Sequence, residues 1–315
     1  MPGPLCLIVN PAAGGGKAGR LAPSVEAALR GHGLTVRRED TRDLAHAREL
    51  ARAADERGET VIALSGDGMV GAIADELRSV PGAVIGVLPG GRGNDLARVL
   101  GIPADAVEAC ATLARGVARP VDLGLVAGAG AADAGAFVGI ASAGFDSDAN
   151  RIANEAPAWL GGMVYAYGAL RALLSWHPAR FELELDPPGE RHTFTGYSVG
   201  AANSKTYGGG MRAAPGAMLD DGLLEIVVLE RTSKFSFLTR ILPKVFSGTH
   251  VREPGVHVFR AREIALSADR PFTMYADGDP IGELPVRVSA VAGAVHMIVP
   301  ADAVEDSAFS SPPAP

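Results

Sequence analysis

Three apolar segments in the first hundred residues each run directly into a glycine-rich turn, and a helical pattern follows each turn. They are LCLIVN before Pro11-Ala-Ala-Gly-Gly-Gly, VIALS before Gly66-Asp-Gly, and AVIGVLP before Gly90-Gly-Arg-Gly. Nearly continuous apolar strands are typical of parallel sheets that are covered on both faces. Strands that alternate with helices indicate βαβ units, so we predict an α/β domain with a parallel sheet over residues 1–123.

The pattern changes after Val121-Asp-Leu-Gly, where short strand-like runs are separated by turn signals. The runs are RFELELD, HTFTGYSVGAAN, LLEIVVLE, EIALSA, FTMYADG and VRVSAV. Such runs predict a largely antiparallel second domain. One helix is predicted near 157–175, and the tail 306–315, rich in Ser and Pro, is predicted to be disordered.

Composition excludes several classes of protein. The chain has 315 residues, a net charge of −7 and only two cysteines. The acidic balance argues against nucleic-acid binding, and the cysteine count excludes a disulfide scaffold and favours a reducing cytosol. We expect no signal peptide, and the apolar stretch from Pro157 to Pro178 contains Arg171 and three glycines, which favours a buried helix over a membrane span.

The glycine-rich turns indicate phosphate binding, because backbone N–H groups at the start of a helix can hold an anion. Ligands bind open parallel sheets at the carboxyl ends of the strands, where all three turns fall. Gly66 to Gly71 also matches the dinucleotide fingerprint G-x-G-x-x-G. However, the match follows the third strand, and the carboxylate of Asp67 would repel a pyrophosphate unless a cation lay between them. A dinucleotide-dependent oxidoreductase, a kinase and a plain glycine-rich turn all remain open at this point.

Six motifs in order carry a resemblance to a known family: NPAAGGGKAG, SGDGMVGAIADEL, PGGRGNDLAR, VDLG, YGGGMRAAPGAMLDDGLLEIVVL and ADGDP. Together they resemble the catalytic domain of the diacylglycerol and sphingosine kinase superfamily, most closely the soluble bacterial lipid kinases. The resemblance implies an ATP- and Mg²⁺-dependent transfer of a phosphoryl group to a lipid hydroxyl, of diacylglycerol or sphingoid type. It also implies a NAD kinase-like α/β nucleotide domain over 1–123, completed by about 291–305, and a mainly antiparallel β-sandwich over 124–290 that binds lipid. The active site is expected in the cleft between them.

The resemblance also implies site residues for nucleotide and metal. Those expected to bind ATP are Asn10, Thr41, Ser65, Gly66, Asp67, Gly68, Met69, Gly71, Gly91, Arg92, Gly93, Asn94 and Asp95. Asp67, Asp95 and Asp122 are expected to organise magnesium and its water; without the resemblance, a turn acid at a domain junction would be the favoured interpretation of Asp122. A second, structural magnesium is expected at Asp221 with the backbone carbonyls of Met218 and Leu223, where an ordinary Asp-Gly turn is the alternative.

Asp279 of the Asp277-Gly278-Asp279 stretch is the expected catalytic base, with Asp67 as the second catalytic acid. A positioned carboxylate can accept the proton of a hydroxyl during phosphoryl transfer. The family usually has glutamate here, so this chain is one methylene shorter. Met69 and Arg92 also depart from the usual threonines, which leaves open a catalytically weakened homologue that binds nucleotide or lipid.

Membrane contact is the last expectation. Between Arg231 and Arg262 there are seven Lys and Arg residues and a single acid, Glu253. This excess indicates either a solvated face or a surface for anionic lipid. The resemblance implies a lipid substrate presented at a membrane, transient peripheral contact with that membrane by a cytoplasmic protein, and a possible homodimer.

Overall fold

The computed structural model describes residues 3–128, 134–145, 147, 148, 152, 171–173, 176–301 and 308–310. The chain forms two compact units. The first comprises 1–123, 219–221 and 292–315, and the second comprises 124–218 and 222–291.

The first unit is built on a parallel sheet. Its strands are β1 (Leu5–Val9), β2 (Val36–Asp40), β3 (Thr60–Ser65), β4 (Val84–Pro89) and the first part of β5 (Val117–Gly128), with the last part of β15 (Val286–Val299). Its helices are α1 (Ala13–Gly31), α2 (Leu44–Glu56), α3 (Asp67–Leu77), α4 (Asp95–Val99) and α5 (Cys110–Arg115). The parallel order is β2-β1-β3-β4, and β15 joins it beside β4 through His296 and Met297.

Local sequence explains how the helices of this unit begin and how its strands are buried. All five residues of β1 are buried, as are the last five of β3 and of β4, as expected for strands covered on both faces. The side chain of Asp43 caps α2 by accepting a hydrogen bond from His46 N at 2.8 Å. The start of α1 contains a left-handed stretch, because Gly14, Gly15 and Gly16 have φ of 60°, 67° and 85°.

The second unit is antiparallel. Its further strands are β6 (Ala134–Phe137), β7 (Ile140–Gly144), β8 (Ala179–Leu185), β9 (Glu190–Ala202), β10 (Leu224–Glu230), β11 (Val256–Ala261), β12 (Glu263–Ala268), β13 (Thr273–Ala276) and β14 (Asp279–Glu283). Their order is β14-β13-β7-β9-β8-β12, and β10 pairs with both β9 and β11. Between β10 and β11 lie α6 (Lys234–Ser236), a π-helical stretch (Phe237–Ile241), α7 (Leu242–Val245) and a 3₁₀ turn (Thr249–Arg252).

Two apolar clusters form the core of the second unit. One includes Phe181, Val199 and Ile226, and the other is centred on the aromatic rings of Phe145, Tyr197 and Phe237. Strand β9 contributes to both clusters: Val199 and Ala201 belong to the first, and Tyr197 and Ala202 belong to the second.

The predicted fold class is confirmed: a parallel α/β unit and an antiparallel β unit occur in the predicted order. The helix predicted near 157–175 lies outside the described residues except for 171–173, which are helical. Of the predicted disordered tail, residues 308–310 are described. Leu219 N donates to Ala308 O at 2.7 Å, and Phe309 lies under the guanidinium of Arg119, contacts that the sequence did not indicate. Within the described residues, no helix combines the length and apolar character needed to cross a membrane.

Candidate active site

The three glycine-rich loops of the first unit lie against one another at the carboxyl ends of β1, β3 and β4. Asn10 N donates to Leu64 O at 3.2 Å, and Gly90 N donates to Ser65 O at 2.9 Å. A Cβ at Gly14 would lie 2.6 Å from the carbonyl oxygen of Gly90, and a Cβ at Gly91 would collide with the Cα of Gly66. The backbones approach this closely only because glycine has no side chain.

Asp67 joins the second loop to the third. It is the first residue of α3, and its two carboxylate oxygens accept hydrogen bonds from the backbone N–H groups of Asp95 and Leu96, both at 3.0 Å. The carboxylate therefore caps the start of α4 from a different segment of the chain. Burial raises the pKa of Asp67; the two backbone donors oppose this rise, and the nearby carboxylate of Asp95 adds to it.

The loop from Gly90 to Asp95 is closed by its own asparagine. The side-chain oxygen of Asn94 accepts from Gly91 N at 2.7 Å, and its amide nitrogen donates to Gly91 O at 3.1 Å. Asn94 has φ of 51°, a left-handed conformation that asparagine tolerates better than most residues. Asp95 is buried and forms an ion pair with Arg98, whereas Arg92 is exposed. The predicted nucleotide residues in this loop thus form one preorganised turn.

The remaining residues predicted to bind nucleotide lie at strand ends of the same unit or in the first turns of α3. Asn10 accepts from Ala12 N at 3.1 Å. Thr41 is 5 % exposed; its hydroxyl donates to Asp43 O at 2.7 Å, and its N–H donates to Val9 O at 2.8 Å. Ser65 ends β3 and is buried. Gly68, Met69 and Gly71 lie in the first turns of α3, and Met69 and Gly71 are buried there.

Asp122 is placed differently from Asp67 and Asp95. It is 2 % exposed, its Oδ1 accepts from Gly293 N at 2.7 Å, and its own N–H donates to Leu219 O at 2.6 Å. The first bond holds β5 to β15, the strand by which the chain returns to this unit, and the second holds β5 to Leu219. Within the described ranges, no group of three or more His, Cys, Asp or Glu side chains is arranged to hold a metal ion. The magnesium network of the three acids stays a prediction.

The acid beside the predicted structural magnesium site has a clear role in the fold. Asp220 lies 3.2 Å from the guanidinium of Arg119 and accepts from Ser310 N at 2.6 Å. Asp221 belongs to the first unit, whereas Met218 and Leu223 belong to the second. The magnesium site that they are predicted to form stays a prediction.

In the second unit, the Asp277-Gly278 pair forms the two-residue turn of the β13–β14 hairpin. Both residues have positive φ, 50° and 97°, as a type I′ turn requires. The carboxylate of Asp277 accepts from the backbone N–H groups of Val138, Gly139 and Ile140, at 2.8, 2.9 and 3.3 Å. The sequence indicated the turn, but it gave no signal that this carboxylate would fix the hairpin to the start of β7 and the two residues before it.

Asp279 follows this turn as the first residue of β14. Its side chain is exposed at the surface, yet partial desolvation by the surrounding protein raises its pKa. A carboxylate with a raised pKa is a stronger base than an ordinary one. Asp277 therefore acts as a positioning residue for the hairpin, and Asp279 is the reactive candidate.

The second unit also contains a pocket of about 350 Å³. Its lining includes Ser147, Asp148, Trp176, Arg270, Phe272 and Tyr275. The guanidinium of Arg270 lies over the rings of Trp176 and Phe272, at 5.3 and 5.0 Å from their centroids. Aromatic rings beside a cation suit a molecule that has both apolar and polar parts.

Two family models match this chain. The diacylglycerol kinase catalytic domain matches residues 4–126, and the YegS C-terminal NAD kinase beta sandwich-like domain matches residues 139–299. A diacylglycerol kinase from Mycobacterium tuberculosis is 32 % identical over 95 % of this chain and 96 % of its own. This chain belongs to the diacylglycerol kinase family.

Other relatives agree with this assignment. A protein named "Probable lipid kinase YegS-like" from Serratia proteamaculans is 28 % identical over 95 % of both chains. The crystal structure of a diacylglycerol kinase from Bacillus anthracis superposes with a TM-score of 0.73 at 20 % identity, over 94 % of this chain and 96 % of that one, which supports the fold. The resemblance and the enzyme class inferred from the sequence, a lipid kinase, are confirmed. The dinucleotide-dependent oxidoreductase has no support among these relatives.

Proposed function

We propose that this protein transfers the γ-phosphoryl group of ATP to a hydroxyl of a lipid, of diacylglycerol or sphingoid type. The observation that carries the proposal is the set of three glycine-rich loops that meet at the strand ends of the first unit, with the second loop joined to the third through Asp67. Backbone N–H groups at such strand ends are suited to the phosphates of a nucleotide. The pocket of the second unit, with aromatic rings and a guanidinium, is suited to a lipid that has a polar head.

Asp67 and Asp95 fit a magnesium ion. They lie close enough for the charge of Asp95 to raise the pKa of Asp67, and a divalent cation would relieve this repulsion. The bonded carboxylate oxygens of Asp67 each keep a further lone pair for a metal or its water. Asp95 is also ion-paired with Arg98, and Asp122 accepts from Gly293 N, so an ion at either acid would compete with that contact. When bound, the ion supplies charge neutralisation at the transferring phosphoryl group.

Asp279 accepts the proton in this proposal. The oxygen of the lipid hydroxyl forms a bond to the γ-phosphorus, the bond from that phosphorus to the bridging oxygen of ADP breaks, and the hydroxyl proton passes to the carboxylate. The hairpin held by Asp277 fixes where this carboxylate lies. In phosphoryl transfer, positioning and electrostatics account for most of the rate acceleration.

The test measures transfer of radiolabelled phosphate from ATP to a panel of long-chain diacylglycerols and sphingoid bases. We expect Asp279→Asn to lower kcat by about 10²-fold or more, with little change in the KM for ATP. Asp279→Glu restores the usual family residue and should keep or raise kcat. Glu283→Gln is the matched control, because this acid lies in the same hairpin and accepts from the Thr273 hydroxyl at 2.6 Å. Equal kcat in Asp279→Asn and the control would contradict the role of Asp279.

A second candidate function is a catalytically weakened homologue that binds nucleotide or lipid. Three residues favour it: Asp279 is shorter than the usual glutamate, Met69 is buried in α3, and Arg92 is exposed where the family commonly has threonine. This candidate predicts ATP binding without phosphorylation of any lipid in the panel. It also predicts that Asp279→Glu, alone or with Arg92→Thr, creates activity that the wild type lacks.

A further inference from the structure

The helical segment between β10 and β11 presents large apolar side chains to solvent. Among the residues that the structure describes, five large apolar side chains are exposed by more than a third, and three of these lie in this one segment. Phe235 is 77 % exposed, Phe246 58 % and Leu238 37 %. We refer to these three residues, with the exposed cations Lys234 and Arg240, as the docking face.

The segment that carries the docking face is packed into the core on its other side. Phe237 and Ile241, on the opposite side of the same segment, are each 3 % exposed and belong to the core. The ring of Phe237 stacks on Tyr197 and meets Phe145 edge-on, both at 5.1 Å between centroids. At the first end Ser233 Oγ caps the segment by accepting from Ser236 N at 3.0 Å, and at the second end Val245 O accepts from Arg212 N at 2.9 Å, which ties the segment to another part of the unit. The packing of this segment in the core therefore holds Phe235 and Phe246 toward solvent.

Charge indicates what kind of partner this face accepts. The stretch 231–262 has seven Lys and Arg residues and one acid, Glu253, in a chain with a net charge of −7. That acid is paired with Lys244, and the stretch as a whole has a surplus of positive charge. Exposed aromatic rings beside surplus cations match an apolar layer bounded by anionic groups, which is the arrangement at the surface of an anionic bilayer.

We propose that the docking face seats this protein on anionic membranes, with Phe235 and Phe246 in the boundary between headgroups and acyl chains. The two cations then lie at the depth of the lipid phosphates. The proposal rests on the proposed function, since an enzyme that phosphorylates a long-chain lipid has to meet that lipid at a membrane. It goes further by naming the surface and the lipid charge that this surface selects.

The experiment measures partition of the full chain onto vesicles of phosphatidylcholine, with and without phosphatidylglycerol. Phe235→Ser with Phe246→Ser should lower partition onto anionic vesicles by about 100-fold, roughly tenfold for each ring removed. Lys234→Gln with Arg240→Gln should lower it by about 25-fold, roughly fivefold for each cation, with little effect on neutral vesicles. Leu44→Ser is the matched apolar control, at 38 % exposure in the first unit, and Arg180→Gln with Arg191→Gln is the matched charge control in the second.

A reporter keeps the proposal testable if a serine variant folds poorly. Tryptophan fluorescence of Phe235→Trp should shift to shorter wavelength on anionic vesicles, whereas that of Leu44→Trp should not. Equal partition of docking-face and control variants would overturn the proposal. A second outcome would also overturn it: the wild type is a dimer in solution, and Phe235→Ser with Phe246→Ser makes it a monomer without loss of vesicle partition. The face would then be an interface between two copies of this chain.

The same variants separate this proposal from the proposed function. Phosphorylation of a short-chain diacylglycerol that stays monomeric in water should be unchanged in the docking-face variants, while phosphorylation of the long-chain lipid in vesicles falls with partition. If no form of the protein phosphorylates any lipid, the proposed function fails, yet vesicle partition still decides the docking face by itself. If short-chain activity falls together with vesicle activity, the face acts on catalysis and the docking proposal fails.

Discussion

The contact between the first and third glycine-rich loops can be tested at Gly14. A Cβ at this position would lie 2.6 Å from the carbonyl oxygen of Gly90, and φ is 60°. Gly15, the next residue, offers a matched control because its φ is 67° but a Cβ there would meet nothing within 4 Å. Alanine at either position carries a similar penalty for the left-handed backbone, about 1–2 kcal/mol. The difference between the two variants therefore isolates the collision between loops.

The magnitude follows from the distance. Ordinary van der Waals contact of a Cβ begins at 3.4 Å, so relief of the 2.6 Å contact requires the two loops to separate by about 0.8 Å in Gly14→Ala. Overpacking of this kind costs about 1–3 kcal/mol, which we expect as the extra loss in the free energy of unfolding relative to Gly15→Ala. A displacement of about 1 Å in a reactive site can also lower the rate by about 10²-fold. Nucleotide affinity should fall in Gly14→Ala more than in Gly15→Ala.

Two measurements on each variant check this. Urea denaturation gives the free energy of unfolding, and isothermal titration with a non-hydrolysable ATP analogue and Mg²⁺ gives the nucleotide affinity. The reasoning is refuted if Gly14→Ala and Gly15→Ala have the same stability and the same affinity. If Gly14→Ala loses stability but keeps its affinity for nucleotide, the contact between the loops is supported, but its role in nucleotide binding is contradicted.

Three acids provide further predictions. The pKa of Asp67 in the folded state is raised above its ordinary value of 3.8. The contribution of this side chain to the free energy of unfolding therefore falls as pH rises from that value through the folded-state pKa. The stability advantage of wild type over Asp67→Asn, measured by denaturation without metal, should therefore shrink from pH 4 to pH 7; a growing advantage would contradict the burial argument. Asp277→Ala leaves three backbone N–H groups without their acceptor and should lower the free energy of unfolding by about 1–3 kcal/mol, with a smaller loss in Asp277→Asn; equal losses would count against the proposed anchor. The acidic limb of the pH profile of kcat/KM should lie above the ordinary carboxyl pKa in the wild type, and it is expected to disappear in Asp279→Asn. An unchanged limb in the variant would assign the limb to another group.

The fold was predictable where one local pattern decides it. The continuous apolar runs of β1, β3 and β4 indicate strands buried on both faces, and the glycine-rich turns after them mark the end of the sheet where ligands bind. The position of Asp67 beside those turns was also predictable. Its bonds to Asp95 N and Leu96 N were not, because they depend on how two loops approach each other after the chain has folded.

Other features could be identified only from the structure, because the same short motif can adopt several three-dimensional arrangements. The sequence placed Asp277 and Asp279 on either side of one glycine, but it did not indicate that a left-handed backbone would turn the first onto the start of β7 and leave the second exposed. The sequence also gave no sign that Asp122 would accept a hydrogen bond from Gly293, which lies far along the chain. The segment Lys234–Phe246 has apolar residues on every side, so periodicity alone could not tell Phe237 in the core from Phe235 in solvent.

The central claim, transfer of the terminal phosphoryl group of ATP to a lipid hydroxyl, is tested most directly with ATP labelled with ¹⁸O in the γ-phosphoryl group. The purified protein, Mg²⁺ and a total lipid extract are incubated with this ATP, and the lipids are analysed by mass spectrometry. The account predicts a new lipid phosphate that carries the labelled phosphoryl oxygens and an unlabelled ester oxygen from the lipid. Binding of ATP with no labelled lipid in the extract would contradict it.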